Sequence, residues 1–326
     1  ESLEKRMKNN SFREIAEAIK ANQSFALYPH TNMDGDAIGS SAAICLALRQ
    51  LGKEAWIIID EEVPDNIMFL AEGLVTEDKE FACSVDMAFC VDSGALDRIG
   101  ERASLFQAAK LSVCIDHHST STHFCDYNYI DPKSAATGQL AFLLIKELEI
   151  VPDKRIANSV FAAITTDTGN FQYSNTQKIT HEIVAELYDW GVSANEVSIE
   201  IYESDRFERL KVEALAIARM RSEFDGKLLI TYVSQEMLKE SGAFMYETDR
   251  IVNLMRAIKG TEVSVLVKEY EKDVIKLSMR SKQYFDVAKL CASLGGGGHA
   301  RAAGATLRCS LDEAIERVIE AFGREM

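Results

Sequence analysis

Four separate stretches of the chain carry acidic or imidazole side chains at spacings that suit metal ions. The first is Pro29-His30-Thr31-Asn32-Met33-Asp34-Gly35-Asp36, with one imidazole and two carboxylates in a short loop. The second is Asp92, followed by Ser93-Gly94, and the third is Asp116-His117-His118. The fourth is Asp167, within Thr165-Thr166-Asp167-Thr168-Gly169. A lone triplet such as Asp116-His117-His118 fits a solvated surface turn as readily as a ligand set, so the weight lies in the recurrence. If the carboxylates converge, each pair about 4 Å apart repels by on the order of 4 kcal/mol at an effective dielectric of about 20, and cations are the natural offset. Carboxylate and imidazole without thiolate suit Mn²⁺, Mg²⁺ or Fe²⁺ more than a structural zinc, and there are ligands enough for two ions. Asp34 and Asp36, separated by the conformationally free Gly35, can serve separate ions; the competing reading makes Asp36 only the N-cap of a helix beginning at Ala37. Two ions about 3.5 to 4 Å apart generate hydroxide at neutral pH and clamp the attacking and leaving oxygens of a phosphoryl group. The chemistry these residues suit is metal-assisted phosphoester hydrolysis.

Elements that bring such residues together must end at one edge of a sheet. The patterning predicts strands over 24–29, 55–59, 86–91 and 111–115, with helices over 37–51, 135–148, 154–165 and 177–189. His30, Asp92 and Asp116 then fall at the carboxyl ends of apolar strands, where α/β folds put their ligands. The fold class is α/β: a doubly wound, mainly parallel sheet in residues 1–192, a charged helical connector in 193–222, and a smaller α+β domain in 223–326. In that last part, strands are predicted over 228–233, 261–269, 274–279 and 303–307, and a helix over 286–294.

With 326 residues, 47% hydrophobic and 27% charged, the chain has the balance of a soluble globular protein of two domains. No run approaches the roughly 18 apolar residues of a membrane span. The start, with Lys5, Arg6 and Lys8 among polar neighbours, lacks the apolar core of a signal peptide, so a cytoplasmic protein is expected. Seven cysteines without a Cys-x-x-Cys pair read as reduced thiols, Cys90 and Cys114 as core residues. A net charge of -15 argues against a protein that coats long nucleic acid. It leaves room for a small anion met by a local cluster of cations.

Gly295-Gly296-Gly297-Gly298-His299-Ala300-Arg301-Ala302-Ala303-Gly304 has more glycine than a helix stop needs. Bare backbone there can point several N–H groups at an anion, although a flexible hairpin explains glycine richness better when it is taken alone. The run is no P-loop, because Gly-Lys-Ser/Thr does not follow, and no dinucleotide fingerprint, because it leads from a helix into a strand. Arg98 is either a phosphate contact or a surface partner of Asp97 or Glu101, and His123 reads as an ordinary loop residue.

In order and spacing, His30-x-x-x-Asp34-x-Asp36, Asp92, Asp116-His117-His118 and Asp167-Thr168-Gly169 resemble the four motifs of the DHH phosphoesterase superfamily. Gly-Gly-Gly-His-x-x-Ala-Ala-Gly resembles the signature of the DHHA1 domain that accompanies it. The resemblance implies two Mn²⁺ ions, with His30 and Asp34 on one, Asp36, His117 and Asp167 on the other, and Asp92 bridging. It implies that His118 contacts the scissile phosphate while Asp116 supports the histidines from behind. Gly297, Gly298 and His299, with Arg280 and Ser281, would hold the nucleotide; Arg98 is a weaker candidate and Arg301 occupies an unspecified position. A short DHH domain with a DHHA1 domain and little else is similar to the stand-alone oligoribonuclease and phosphoadenosine phosphatase group called NrnA-like. That implies short RNA oligonucleotides (nanoRNA) or 3'-phosphoadenosine 5'-phosphate (pAp) as substrates, with mononucleotide products. A homodimer is left open. The closest alternative is a phosphodiesterase acting on cyclic di-AMP or linear pApA; a pyrophosphatase and a nucleotide sensor without turnover rank lower.

Overall fold

The computed structural model describes residues 8–326, so Lys5 and Arg6 lie outside the described residues. The chain divides into two compact units, Glu1–Ser204 and Asp205–Met326, each built on its own six-stranded sheet. The first unit contains β1 (Ser24–Pro29), β2 (Glu54–Ile58), β3 (Val75–Thr76), β4 (Met87–Val91), β5 (Leu111–Asp116) and β6 (Tyr127–Ile130). Every neighbouring pair is parallel, and the order is β3-β2-β1-β4-β5-β6. The doubly wound parallel sheet expected from the sequence is therefore present.

Its central strands are apolar through their buried middles because both faces are covered. Phe25 and Leu27 of β1, Met87, Phe89 and Val91 of β4, and Val113 and Ile115 of β5 enter one core, which is capped by helices. The alternate residues Ala26, Tyr28, Ala88, Cys90 and Cys114 enter the core on the other face. Cys90 and Cys114 sit opposite one another in register, are buried and are not disulfide-bonded, as core thiols should be.

The helix after β1 runs over Gly35–Gln50, two residues earlier than predicted. Asp34, rather than Asp36, is its N-cap, accepting from the Asp36 and Ala37 backbone amides at 3.1 and 3.0 Å. That releases Asp36 from a capping role and turns it into the first buried turn. Two short edge strands, β3 and β6, and the helix Phe12–Ala21 escaped the periodicity reading. The helix did carry a legible start, the Ser11-x-x-Glu14 capping box.

The stretch expected to be a separate connector is shared between the units. Helix Ala194–Tyr202 packs within the first, where the Tyr202 hydroxyl lies 3.1 Å from Thr165 Oγ1, and helix Phe207–Ala218 opens the second. The second unit is α+β, with β7 (Arg221–Glu223), β8 (Leu228–Val233), β9 (Val263–Glu271), β10 (Val274–Ser281), β11 (Gly297–His299) and β12 (Ala302–Leu307). Their order is β11-β12-β10-β9-β8-β7, antiparallel except for the β8–β9 pair. Among the described residues no helix is long and apolar enough to cross a membrane.

The helix Gly35–Gln50 is buried along most of its length and lies against helix Lys154–Asp167. Gly39 permits the contact: a Cβ there would come within 2.6 Å of the Ser159 carbonyl oxygen and 2.9 Å of the Ala163 amide nitrogen. Alanine at a helix position normally gains about 1 kcal/mol over glycine. Because the obstacles here are backbone atoms that cannot rotate away, overpacking of about 1 to 3 kcal/mol outweighs that gain. Gly39→Ala is expected to lower stability, measured as an earlier midpoint in urea unfolding.

Candidate metal centre

The strand order reverses between β1 and β4, so the loops leaving their carboxyl ends run in opposite directions and open a crevice. His30 follows the last residue of β1, and Asp92 the last of β4. The next strand, β5, ends in Asp116 and hands over to His117 and His118. The helices after these strands bring the remaining groups: Asp34 and Asp36 at the start of Gly35–Gln50, and Asp167 at the end of Lys154–Asp167.

Two imidazoles are oriented by the same device. His30 Nδ1 lies 2.8 Å from the Thr31 carbonyl oxygen, and His117 Nδ1 lies 3.1 Å from that of Ser134. A carbonyl can only accept, so Nδ1 carries the proton and donates, and Nε2 is turned to the carboxylates. His30 Nε2 is 3.6 Å from Asp34 Oδ2 and 3.5 Å from Asp92 Oδ2. His117 Nε2 is 3.6 Å from Asp36 Oδ2, 3.6 Å from Asp92 Oδ1 and 3.4 Å from Asp167 Oδ2. These separations are long for hydrogen bonds. Two donors on one ion with bonds of about 2.1 Å sit roughly 3 to 3.5 Å apart, close to the 3.4 to 3.6 Å found.

Ligand atoms of His30, Asp34 and Asp92 lie within 4.8 Å of one another, as do those of Asp36, His117 and Asp167, and those of Asp92, His117 and His118. Asp92 belongs to two of the three sets and links the histidines. It holds a left-handed backbone conformation (φ 57°), unusual for a residue other than glycine but tolerated by aspartate, and accepts from Thr137 Oγ1 at 2.7 Å. Asp36, 1% exposed, is bound on both oxygens: Oδ1 accepts from Ser40 Oγ at 2.8 Å and the Gly138 amide at 2.9 Å, and Oδ2 from the Thr137 amide at 2.7 Å. Those amides are the free N-terminus of helix Thr137–Glu147, whose dipole favours an anion.

The cluster carries more negative charge than the fold alone can neutralise. Burial pushes Asp36 well above the usual carboxylate range, with the charges of Asp92, Asp167 and Asp34 adding to it. Burial also raises Asp167, to about 6, with Asp92 and Asp34 adding and His117 opposing. Burial pulls His30 down, but Asp34 and Asp92 outweigh it and raise the imidazole to about 10. Carboxyl groups and an imidazole all pushed upward by crowding mark a site suited to bound cations, and the donor set fits divalent metal.

Asp116 stands apart from these sets. It is fully buried, its Oδ1 is 2.7 Å from His118 Nδ1, and its other oxygen accepts from the Ser121 hydroxyl. The bond to Asp116 raises the His118 pKa against the effect of burial. Side-chain exposure separates a floor from a rim: Asp36, Asp92 and His30 are 1, 2 and 5% exposed, whereas Asp167, His118 and Asp34 are 31, 43 and 57% exposed. The last three form the accessible rim of the cluster.

Of the other residues singled out from sequence, Arg98 is exposed, and its backbone carbonyl accepts from the Thr31 amide at 2.8 Å. His123 Nε2 meets Asn9 Oδ1 at 3.0 Å, away from the cluster. In the second unit the glycine run is only partly a loop, because Gly297–His299 form the edge strand β11 against β12. Three of its glycines have structural reasons. Gly295 has left-handed backbone (φ 80°) at the helix end; a Cβ on Gly296 would meet the Gly304 carbonyl at 2.2 Å; one on Gly298 would meet Ala303 Cα at 2.6 Å. A Cβ on Gly297 would meet nothing within 4 Å, and both it and His299 are exposed. Ser281 is 1% exposed; its hydroxyl donates to the Ala300 carbonyl at 3.0 Å and accepts from Arg301. Arg280 is half-buried and donates to the Met279 carbonyl at 3.0 Å. Arg301 also reaches the Phe285 carbonyl at 2.7 Å and braces the turn after β10. Sequence reasoning missed the groups that orient the cluster, the carbonyls of Thr31 and Ser134 and the amides of Thr137 and Gly138, because backbone atoms leave no residue-type signal.

Comparison with known proteins agrees with this layout. Residues 24–166 match the model of the DHH family, N-terminal domain, and residues 225–325 match that of the DHHA1 domain. The chain is 33% identical over 322 residues to the bifunctional oligoribonuclease and PAP phosphatase NrnA of Thermus thermophilus, covering 96% of this chain and 93% of that protein. It is 25% identical over 304 residues to the Bacillus subtilis protein of the same description, covering 92% and 94%. A crystal structure of an exopolyphosphatase-related protein from Bacteroides fragilis shares the fold, with a TM-score of 0.90 at 24% identity over 96% of this chain and 95% of that one. Joined DHH and DHHA1 domains, and one-third identity along nearly the whole length to an NrnA protein, mean that this chain belongs to the DHH phosphoesterase family.

Proposed function

We propose that the chain hydrolyses short oligoribonucleotides and 3'-phosphoadenosine 5'-phosphate to mononucleotides, using two divalent ions, Mn²⁺ in the first instance. The carrying observation is the pair of ligand sets joined through Asp92, each with its histidine turned by a backbone carbonyl. On this reading His30 and Asp34 hold one ion, Asp36, His117 and Asp167 the other, and Asp92 bridges them. When bound, divalent ions at these positions supply Lewis acidity and water activation near neutral pH. His118, on the rim with Nδ1 held by Asp116, is placed to meet a phosphate oxygen with its free Nε2, and the upward shift Asp116 gives it favours the protonated, donating form. Asp116 orients that ring through Nδ1 and stays out of the metal sets. The chemistry belongs to residues 1–192, and residues 223–326 hold the substrate through the exposed backbone at Gly297 and the imidazole of His299, with Gly298, Arg280 and Ser281 shaping that edge and Arg98 as a further phosphate contact. The relatives' described activities, on oligoribonucleotides and pAp, support this substrate class.

The test is a Mn²⁺ turnover panel of a pentanucleotide RNA, pAp, pApA, cyclic di-AMP and pyrophosphate. Release of mononucleotide from the RNA and pAp is expected; cleavage of pyrophosphate alone would defeat the nucleotide assignment, and preference for cyclic di-AMP would move the enzyme to the cyclic-dinucleotide class. In the same assay Asp92→Asn, which keeps the size of the side chain and suits left-handed backbone, is expected to lose more than about 100-fold in turnover, the upper end of what loss of a supporting group alone costs.

Metal uptake is linked to pH through Asp167. A carboxyl raised to about 6 in the fold binds its proton more tightly than in the unfolded chain, so it adds stability at low pH that is lost as pH rises through about 6. An ion held by Asp167 would displace that proton. The rise in thermal midpoint on adding Mn²⁺ to chelator-stripped protein is therefore expected to be small at pH 5 and larger at pH 7.5; an increment independent of pH would remove Asp167 from the ligand set. For the second unit, Gly297→Ala has open space for its methyl group and is expected to leave the thermal midpoint unchanged while raising KM for pAp several-fold.

A further inference from the structure

Arg102 is the largest fully buried side chain in the described structure, and neither the ligand sets nor the substrate contacts use it. It ends the 3-10 turn Leu96–Arg102, which lies in the connection that leaves β4 through Asp92. Its Nη2 donates to the Pro29 carbonyl at 3.0 Å and its Nη1 to the Ile58 carbonyl at 2.7 Å, while Nε makes an ion pair with Asp60 at 2.8 Å whose angle is not that of a hydrogen bond. Pro29 and Ile58 are the last residues of the adjacent strands β1 and β2 and lie past the register between them, which ends at Leu27 and Ile57. A buried guanidinium is costly unless its donors are met. Its rigid fork suits spanning two carbonyls that a lysine, with one nitrogen, cannot hold in the same way.

The Pro29 carbonyl belongs to the peptide bond that leads into His30. On the other side of His30, the Thr31 amide donates to the Arg98 carbonyl of the same 3-10 turn at 2.8 Å. Gly100 in that turn has left-handed backbone (φ 59°) and lets it lie against Thr31, whose Cγ2 would be 3.0 Å from a Cβ. His30 is thus gripped before and after by one connection, and that connection begins at Asp92. The other set is fixed by different elements: Asp36 by the Thr137 and Gly138 amides, His117 by the Ser134 carbonyl.

We propose that Arg102 is a positioning residue for one metal position only, holding His30 in register with Asp92 while leaving the Asp36, His117 and Asp167 set untouched. This rests on the two-ion reading above. Supporting groups behind metal ligands cost about 10- to 100-fold in metal affinity when removed, and the loss here falls on a single ion.

The experiment is a stepwise Mn²⁺ titration of the full chain, with free Mn²⁺ followed by its electron paramagnetic resonance signal, and His30→Ala as the reference that identifies the step owed to His30. Arg102→Lys is expected to weaken that same step about ten-fold and to leave the other within two-fold. Asp60→Asn, which alters a 37% exposed partner and leaves the core filled, is expected to weaken the same step several-fold and carries the test if the lysine variant does not fold. Equal weakening of both steps would mark Arg102 as merely structural, and two unchanged steps in Asp60→Asn, or in both variants where both fold, would remove it from the site; either result overturns the proposal. A wild-type chain that takes up fewer than two ions refutes the two-ion reading instead, and the inference falls with it.

Discussion

Crowding of negative charge at the carboxyl edge of the first sheet is the constraint on which the rest of that unit depends. Asp36, Asp92 and Asp167 all lie within 3.6 Å of one imidazole nitrogen, and two of the three are almost wholly buried. Carboxylates a few ångströms apart repel by kilocalories per mole even at generous dielectric. The fold tolerates this because each group is anchored elsewhere: Asp36 in the positive end of a helix, Asp92 on a strand terminus and the Thr137 hydroxyl, Asp167 at the end of a helix packed through Gly39. A looser scaffold would relax by moving the charges apart. The tight pairing of helices Gly35–Gln50 and Lys154–Asp167 is therefore as much part of the site as the ligands.

Local acceptors explain how three imidazoles come to play different parts. A backbone carbonyl on Nδ1 turns His30 and His117 inward through Nε2. A carboxylate on Nδ1, with Ser121 behind it, sets His118 on the rim and keeps its proton. Neighbouring histidines thus differ because one meets a neutral acceptor and the other a charged one. Asp116 supplies that charge from a position with no solvent exposure, where a carboxylate persists because both its oxygens are bonded.

In the second unit the glycine run reconciles two demands. Gly296 and Gly298 are needed for β11 to lie close against β12, and Gly295 for the helix to end. Of these four, Gly297 alone is bare for neither a packing nor a backbone reason, and it lies two residues from exposed His299. Ser281 is buried and bonded to Ala300 and Arg301, so it shapes this edge from beneath.

Much of this was legible in the linear chain. Continuous apolar runs ending in Asp or His announced buried parallel strands with acidic and imidazole groups at their ends, because a strand covered on both faces is apolar through its buried middle. Residue types at those ends specified hard, oxygen- and nitrogen-seeking cations. The sequence could not say that Asp34 rather than Asp36 caps the helix, since both are good caps two residues apart and only the packing of Asp36 against the Thr137–Glu147 helix separates them. It could not say which nitrogen of each histidine faces the cluster, since that depends on carbonyls contributed by residues 1 and 17 positions away. Nor could it pick Arg102 from other charged residues, because a guanidinium earns its place there only where two strands stop side by side. Residue types are local and survive in the sequence; tautomers, caps and clamps are set by long-range contacts between backbone groups, and those exist only once the chain has folded.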